Sequence, residues 1–484
     1  MSTPATSHKS TLFIVFLTVF IDLLGFGIVM PLLPRYGACF NASKAQLGLL
    51  MASFSAMQFL FAPMWGALSD RVGRRPILML GLLGSTFSYA LFGYASSLGR
   101  EGHFLGLGAL ALLFTARIGA GIAGATISTA QAVIADCTGV ENRGRGMAMI
   151  GAAFGLGFTF GPLIGAACTS DRLTVALNDQ QYAQVQQWDE VTDLITADQL
   201  LEELGGSGKV PSADEQAIRR QLNAPMPRVE VKLHLLEPPT PWPGYVASIL
   251  SGCALLIAAW RLKETRRPPE TLTEADAEKP VSAHGRRSWL NLRLLSTYLA
   301  QASLSAILLS VFITTFGFAQ FESTLSLLTR EFAFGQQSNF LLYAYVGVIL
   351  SLGQGLLVRR FLPRIGEYRM ALIGVTLMTT GFLLIGLTGD KVLPAVSLWY
   401  ILPVVVIGFS AVTPSLQSLL SQAAPSDQQG SVLGTSQSLS ALARILGPYT
   451  GIQLLGVSTS LPYYLGAGLI MAGGVMITRI RRAK

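Results

Sequence analysis

Three charged side chains lie inside long apolar stretches of this 484-residue chain, and a fourth lies beyond the end of one. The three are the carboxylate Asp22 and the guanidinium groups Arg117 and Arg444, and the fourth is the carboxylate Glu322. An ionised group inside such a stretch is costly and usually lines a polar cavity. Because desolvation favours the protonated form of a carboxyl group, Asp22 is a candidate for uptake and release of a proton. The alternative that the sequence leaves open is a structural hydrogen bond at the cavity wall.

These residues must be positioned by apolar elements, which dominate the composition. Hydrophobic residues make up 51% of the chain and charged residues 13%, whereas about 25% of the residues in soluble domains are charged. A helix needs about 20 apolar residues to cross about 30 Å of hydrocarbon, so runs of this length predict an all-α membrane protein with twelve transmembrane helices. The predicted helices span residues 12–33, 45–64, 76–97, 105–134, 146–168, 244–261, 292–318, 338–358, 369–388, 395–420, 431–455 and 461–478.

Basic loops predict the orientation of these helices. Arg71, Arg74 and Arg75 follow the second helix, and Arg143 and Arg145 follow the fourth. Since cytoplasmic loops carry an excess of lysine and arginine, both chain ends are expected in the cytoplasm, with the protein in the plasma or inner membrane of the cell. The same loops account for the net charge of +8, so this charge does not indicate a nucleic-acid partner.

One long polar segment interrupts the regular alternation of helices and short loops. Residues 169–243 are predicted to form an extracytoplasmic insertion, either a tolerated surface segment or a lid or partner-binding element. The predicted division is an N-terminal half with helices 1–5 at residues 1–168, the insertion at 169–243, helix 6 at 244–261, a cytoplasmic linker at 262–291, and a C-terminal half with helices 7–12 at 292–484.

The two halves share a repeated pattern in their fifth and eleventh helices. Gly144, Gly161, Pro162 and Gly165 recur 286 positions later as Gly430, Gly447, Pro448 and Gly451. Internal repeats of this kind are typical of transporters whose halves rock about a site near the membrane midplane. The repeat therefore predicts a pseudo-symmetric arrangement of six plus six helices.

Three motifs resemble those of a known family. Residues 66–75, GALSDRVGRR, resemble the loop-two signature of the major facilitator superfamily. Residues 117–121, RIGAG, and 157–165, GFTFGPLIG, resemble the proton-linked and antiporter motifs of its twelve-helix drug–proton antiporter branch. The likeness is closest to tetracycline-efflux-like members and covers nearly the whole chain except 169–243. Ala120 and Ala166 depart from the motifs, which places the exact coupling in question more than the fold.

The resemblance implies roles for the motif residues. In the first motif, it implies that Asp70 meets the start of the eleventh helix when the inner side is closed; the alternative is that the charges serve only to set the membrane topology. In the antiporter motif, the small residues could serve helix packing alone. The implied conformational latch is Gly66, Asp70, Arg71, Gly73 and Arg74, and the implied antiporter motif is Gly157, Gly161, Pro162 and Gly165.

Helix depth brings Asp22 and Arg117 to similar levels of the membrane. At ~1.5 Å per residue, Asp22 lies about 15 Å from the inner face and Arg117 about 18 Å from the outer face. The two side chains can therefore pair, and a cation so close favours the ionised carboxylate. A pair that forms and breaks between states would couple proton binding to conformation, whereas a permanent pair would only be structural.

The remaining candidate residues are placed by helix position alone. Arg444 could meet an anionic group of a substrate or pair within the bundle. Glu322 is expected at the outer rim, as a gate contact or a solvated helix end. The other residues expected to line the substrate cavity are Gln131, Phe154, Gln301, Gln437 and Gln453.

Several kinds of site are not expected. The four cysteines have no CxxC spacing and predict neither a metal site nor a disulfide framework, although Cys39 and Cys168 could form one bridge. Residues 119–124 read GxGxxG but lie inside an apolar helix, so they favour helix packing over dinucleotide binding. With no cofactor expected and no nucleophile–base constellation, an enzyme is not indicated.

Together these patterns indicate a secondary active transporter. The leading interpretation is proton-coupled efflux of amphipathic, drug-like small molecules by alternating access. Its partners are then the substrate, protons and the lipid bilayer, and the protein is expected to be a monomer. The alternatives are a carrier of the same fold that takes up or exports a metabolite or sugar, and a non-transporting membrane receptor or scaffold.

Overall fold

In the computed structural model of the protein, the described residues are 4–137, 143–169, 177–188, 193–205, 224–265, 301–423 and 429–480, with 215, 218, 219 and 222. Most of these residues are helical. Strands occur among them only as two antiparallel pairs of two residues each, His103–Phe104 with Leu107–Gly108 and Leu194–Ile195 with Met226–Pro227. The all-α prediction is therefore confirmed.

The first half of the chain, up to residue 261, contains eleven helices among its described residues. They are α1 (Pro4–Val29), α2 (Leu33–Cys39), α3 (Lys44–Val72), α4 (Arg74–Ser97), α5 (Ala109–Gly124), α6 (Ile127–Cys137), α7 (Arg143–Ala167), α8 (Asp179–Gln186), α9 (Ala197–Glu203), α10 (Arg228–Leu236) and α11 (Trp242–Arg261). Helices α8 to α10 belong to the predicted insertion.

The second half contains seven further α-helices in the part that is described. They are α12 (Ala302–Glu331), α13 (Gln336–Leu352), α14 (Arg359–Ile365), α15 (Glu367–Gly389), α16 (Leu398–Ala423), α17 (Gln429–Leu455) and α18 (Leu461–Ile480). A π-helical segment, Gly353–Val358, joins α13 to α14, and a 3₁₀ turn, Ala395–Ser397, precedes α16.

Helices lie at all twelve predicted positions. Nine stretches of the described residues are long and apolar enough to cross a membrane, and Ala109–Gly124 and Ala153–Ala167 are shorter apolar helices. Several predicted boundaries are wrong, and the fourth and seventh spans differ most. The fourth span is divided into α5 and α6 at Ala125–Thr126, and α12 continues to Glu331, well beyond the predicted end at 318.

The halves meet along two helix pairs, α7 with α13 and α3 with α17. Glycines allow these helices to approach closely, as small residues do in membrane bundles. The backbone of Gly347 lies directly against the carbonyl of Phe158, and Gly165 faces the ring of Phe340. Since α12, α13, α15, α16 and α18 also share one apolar core, the second half packs as a unit around it.

The insertion has an apolar core of its own, which includes Val185, Leu200 and Val231. It is attached to the outer end of the first half, meaning the end opposite the arginine-rich loops. There the Arg100 guanidinium contacts the Asp179 carboxylate at 2.8 Å and lies over the Tyr182 ring. The insertion is therefore a folded cap on this half.

Candidate functional site

Asp22 lies in the interior of the first half, between α1 and α4. The Ser85 hydroxyl donates to its Oδ1 at 2.6 Å, and the Tyr89 hydroxyl donates to its backbone carbonyl at 3.4 Å. Both donors are on α4, one turn apart. A single hydroxyl is modest compensation for the desolvation of a carboxylate, so this environment favours a group that can bind a proton.

Arg117 is buried, with 2% of the residue exposed, and lies between aromatic rings. Its guanidinium is 4.6 Å from the centre of the Phe54 ring and 5.6 Å from that of Phe26. Its Nε and Nη1 atoms have no hydrogen-bond acceptor. The expected contact with Asp22 is not formed in the described structure, where Asp22 is bound to Ser85 instead. Arg117 therefore has hydrogen-bond donors available in this state.

Glu322 connects the two halves electrostatically. It interacts with Arg444 on α17 and with Arg117 on α5. Its Oε1 atom is buried and has no hydrogen-bond donor. The expected position of Glu322 at the outer rim rested on a span ending near 318. Because α12 continues to Glu331, Glu322 instead lies about 13 Å inside the helix end at ~1.5 Å per residue.

Two side chains on α17 lie on the same face of the helix. Arg444 and Gln437 are seven residues apart, two helical turns, and neither is fully covered by protein. Arg444 interacts electrostatically with Glu322. The position of both residues in a substrate cavity stays a prediction.

The other expected cavity residues are more scattered. Phe154 stacks on Phe158 with ring centres 5.7 Å apart, and Gln453 has a buried Nε2 with no partner. Gln301 precedes α12 and is exposed, so the structure places it at a helix end rather than in the bundle. The side chain of Gln131 lies outside the described structure.

The loop between α3 and α4 is held by Glu264, which follows the sixth predicted helix. Gly73, with φ of 116°, ends α3 and allows the sharp turn into α4. The carboxylate of Glu264 then accepts the backbone N–H groups of Arg74 and Arg75 at 2.9 and 3.1 Å. A carboxylate at a helix N-terminus is stabilised by the exposed amides and the helix dipole.

The rest of this loop is described in part. The Arg74 guanidinium donates to Ser69 Oγ at 2.6 Å. Gly66 lies within α3 and Arg71 is exposed near its end. The side chain of Asp70 and those of its expected partners near Gly430 lie outside the described residues. The latch therefore remains a prediction from the resemblance.

The antiporter-motif glycines bring α7 against α1. A Cβ atom on Gly161 would lie 2.8 Å from the backbone of Gly27, and one on Gly157 would lie 2.9 Å from Leu23. Pro162 has no backbone N–H, so it cannot donate to the carbonyl of Phe158, four residues earlier. This carbonyl faces Gly347 of the other half. The motif thus combines close packing within one half with a contact to the other.

Gly161→Ala tests this packing with the smallest added group. The new methyl meets backbone atoms, which cannot rotate away, so we expect a loss of about 1–3 kcal/mol of stability. Thermal unfolding in detergent would measure it as a lower midpoint. Gly468→Ala in α18 is the control, because a Cβ there has no neighbour within 4 Å. An unchanged midpoint for Gly161→Ala would contradict the packing role.

The described residues show no cluster of three or more His, Cys, Asp or Glu side chains that could hold a metal ion. All four cysteines are free, so the bridge considered between Cys39 and Cys168 is not formed. Ser85 and Tyr89 were missed because common residue types carry no signal until the fold brings them to a site.

Comparisons with known proteins agree with this architecture. The sequence model of the Major Facilitator Superfamily matches residues 15–174 and 235–448, which leaves out most of the insertion. The class B tetracycline resistance protein of Escherichia coli is 26% identical over 435 residues, covering 88% of this chain and 84% of that protein. The human major facilitator superfamily domain-containing protein 10 is 28% identical over 472 residues, covering 90% and 85%.

Solved structures show the same fold. The crystal structure of the human organic anion transporter MFSD10 (TETRAN) has a TM-score of 0.59 at 25% identity and covers 98% of this chain and 100% of that one. The D-xylose-proton symporter has a TM-score of 0.65 at 14% identity, covering 97% of each, a likeness of fold alone. The matched family is one of transporters rather than enzymes, and this chain belongs to the Major Facilitator Superfamily as an integral, multi-pass membrane transporter of small molecules.

Proposed function

We propose that this protein exports amphipathic, drug-like organic anions in exchange for protons, by alternating access. The observation that carries the substrate class is the pair of arginines that interact with one carboxylate, Glu322, from opposite halves. Two guanidinium nitrogens of Arg117, Nε and Nη1, have no hydrogen-bond acceptor, and the side chain of Arg444 is not fully covered by protein. An anion between the halves would satisfy these donors, and charge-assisted bonds of this kind are strong.

The apolar part of such a substrate also has a surface to contact. Phe26 and Phe54 are tilted against each other at 4.9 Å beside Arg117, and Phe158 lies 5.7 Å from Phe26. Pockets for organic ligands typically combine aromatic walls with a few polar groups that orient the ligand. The relatives named for tetracycline resistance and organic anion transport support this class.

Proton coupling is assigned to Asp22 and Arg117. Protonation of Asp22 removes a buried charge, and the motion that brings Arg117 to Asp22 would favour release of that proton. Proton binding and substrate binding then stabilise different states of one carrier, as alternating access requires. The loop at Gly66 to Arg74 acts as the inner latch, and the two halves and the linker at 262–291 provide the hinge.

The proposal includes a topology. With the arginine-rich loops inside, both chain ends lie in the cytoplasm of the cell and the protein lies in the plasma or inner membrane. The cap formed by the insertion then faces outward. The complete path between halves lies in one chain, so a monomer suffices for transport.

Transport by purified protein in liposomes tests the substrate class. At a fixed pH gradient, amphipathic anions should be transported faster than matched neutral or cationic analogues. Arg444→Gln should raise KM for the anions by about tenfold or more, because it removes one of the two cationic groups assigned to the anion. Arg219→Gln, at an exposed arginine of the cap, is the control. If the protein instead preferred a neutral sugar, and Arg444→Gln still transported every compound, the metabolite carrier would be favoured.

A further inference from the structure

A small cavity lies next to Asp22 inside the first half. Its lining comes from three elements: α1, α4 and the junction of α5 with α6. It leaves about 20 Å³ for the centres of water molecules, and about 10–15 Å³ is enough to hold one water. The residues that line it are Thr18, Val19, Asp22, Leu23, Leu78, Gly81, Leu82, Thr126, Ile127 and Ala130.

Chain direction places this cavity on the inner side of Asp22. On α1, Thr18 is one turn closer than Asp22 to the start of the helix. On α4, which starts at the arginine-rich loop, Leu78 precedes Ser85 by two turns. Leu78 is four residues from the start of α4, about 6 Å at ~1.5 Å per residue. The cavity therefore extends from Asp22 towards the arginine-rich side.

The helix break beside the cavity is a built feature. The N–H of Thr126 donates to Ala123 rather than to the carbonyl of Ile122, four residues earlier. The indole N–H of Trp65 donates to the Ile122 carbonyl at 2.8 Å instead. The amide of Gln58 similarly donates to the Gly124 carbonyl at 3.3 Å. Two side chains of α3 thus replace helical hydrogen bonds that the break removes.

An irregular backbone at membrane depth is tolerated where it is buried in protein or lines a water-filled cavity. Here the break is buried in protein, and it also faces the cavity through Thr126. The hydroxyls of Thr18 and Thr126 donate to their own helices at 2.9 Å. Their lone pairs remain able to accept a hydrogen bond from water.

We propose that this cavity is a hydrated vestibule through which Asp22 exchanges its proton with the arginine-rich side, separately from the path of the substrate. The Asp22 carboxyl O–H bond breaks, its proton passes to a water in the vestibule, and that water releases a proton to the solution on this side. The carboxylate then keeps the hydrogen bond from Ser85.

The substrate need not pass through the vestibule. The guanidinium groups assigned to the anion, Arg117 and Arg444, do not line it. The titratable group nearest to Asp22 on α4 is Tyr89, which also interacts with Arg117. Tyr89 does not line the vestibule either, so among its described lining residues Asp22 alone titrates. This proposal rests on the proton-coupled function proposed above.

Removing water from the vestibule, either by loss of its hydroxyls or by filling its space, tests the proposal. Thr18→Val with Thr126→Val keeps the branched side chains and removes both hydroxyls, and Ala130→Leu fills the space. Either change should slow transport driven by a pH gradient by at least about tenfold, or ~1.4 kcal/mol of barrier. Exchange of labelled for unlabelled substrate at equal pH needs no proton release and should stay within about twofold. Thr376→Val, at an exposed threonine that also donates to its own helix, is the control.

The outcomes separate the two proposals. If the wild-type protein exchanges substrate but shows no transport driven by a pH gradient, the proposed function fails. If a pH gradient drives transport by the wild-type protein, and both the Thr18→Val, Thr126→Val double variant and Ala130→Leu transport at the same rate, the vestibule proposal is overturned. Equal losses of driven transport and exchange in both variants would also overturn it, since that result indicates a packing role. Loss of driven transport alone supports it.

Discussion

Asp22→Asn should abolish transport driven by a pH gradient and leave substrate-for-substrate exchange intact. Asparagine has nearly the same shape, and its amide oxygen can still accept the hydrogen bond from Ser85. It cannot bind and release a proton in the physiological range. We therefore expect the driven rate to fall by at least about 100-fold, the scale on which positioned proton-transfer groups act. The two assays in liposomes measure the difference directly.

A matched substitution controls for the change of aspartate to asparagine. Asp390 lies just after α15, and hydrogen bonds from Ser460 and Tyr464 lower its pKa, so it stays ionised at neutral pH. Asp390→Asn should therefore leave both rates nearly unchanged. If Asp22→Asn retained full gradient-driven transport, Asp22 would have only a structural role. Loss of exchange as well would point to misfolding or to a substrate contact.

Arg35→Met should open the outer side of the protein. Arg35 is 5% exposed and joins α2 to the second half, where its Nη2 donates to the Phe334 carbonyl at 3.0 Å and to Thr329 Oγ1 at 3.3 Å. Arg35 Nε also donates to Ser326 Oγ at 3.4 Å, and the Ser326 hydroxyl in turn donates to the Pro31 carbonyl at 2.8 Å. This network ties the outer ends of the halves together.

The expected shift follows from the charged hydrogen bonds that are lost. Each contributes about 1.5–3 kcal/mol, so losing even one should change the ratio of outer-closed to outer-open protein by about ten- to 150-fold. Spin labels at Leu49 in the first half and Val457 in the second, both exposed, would report the distance between the outer ends of the two halves. The distance distribution should move to longer values in Arg35→Met.

A neighbouring residue provides the control for this opening. Lys44, in the first half, donates to the carbonyl of Gly456 in the second half at 3.0 Å, but this contact is exposed. Exposed polar contacts contribute about 0–1 kcal/mol, so Lys44→Met should shift the distances little. If both variants left the distribution as it is in the wild type, the Arg35 network would not hold the outer side closed.

Helix positions could be predicted well because each depends on local composition. An apolar run of membrane length forms a helix whatever its neighbours are, and a lone carboxylate such as Asp22 stands out within one. The end of α12 could not be predicted in this way. Its last turns carry Gln320, Ser323 and Thr324, which look like a loop but are buried. Gln320 donates to the Pro462 carbonyl at 2.6 Å, a partner that the fold supplies.

The break between α5 and α6 was missed for a similar reason. There is no proline at or near Ala125 and Thr126, so the sequence predicts a continuous helix. The side chains that stabilise the break, Gln58 and Trp65, lie far away in sequence. Arg35 follows the first predicted helix, where a charge is expected to lie in a loop, yet it is buried between the halves. Depth along a helix assigns a level to Asp22 and Arg117 but cannot give the direction in which each side chain points.

Proton movement linked to substrate movement tests the central claim most directly. Liposomes that contain the protein and a trapped pH-sensitive dye, with no imposed pH gradient, would receive an amphipathic anion on the outside. The account predicts that substrate entry drives protons out, so that the interior becomes alkaline with the wild-type protein and not with Asp22→Asn. Substrate entry with no proton movement, or with protons entering alongside it, would contradict the account.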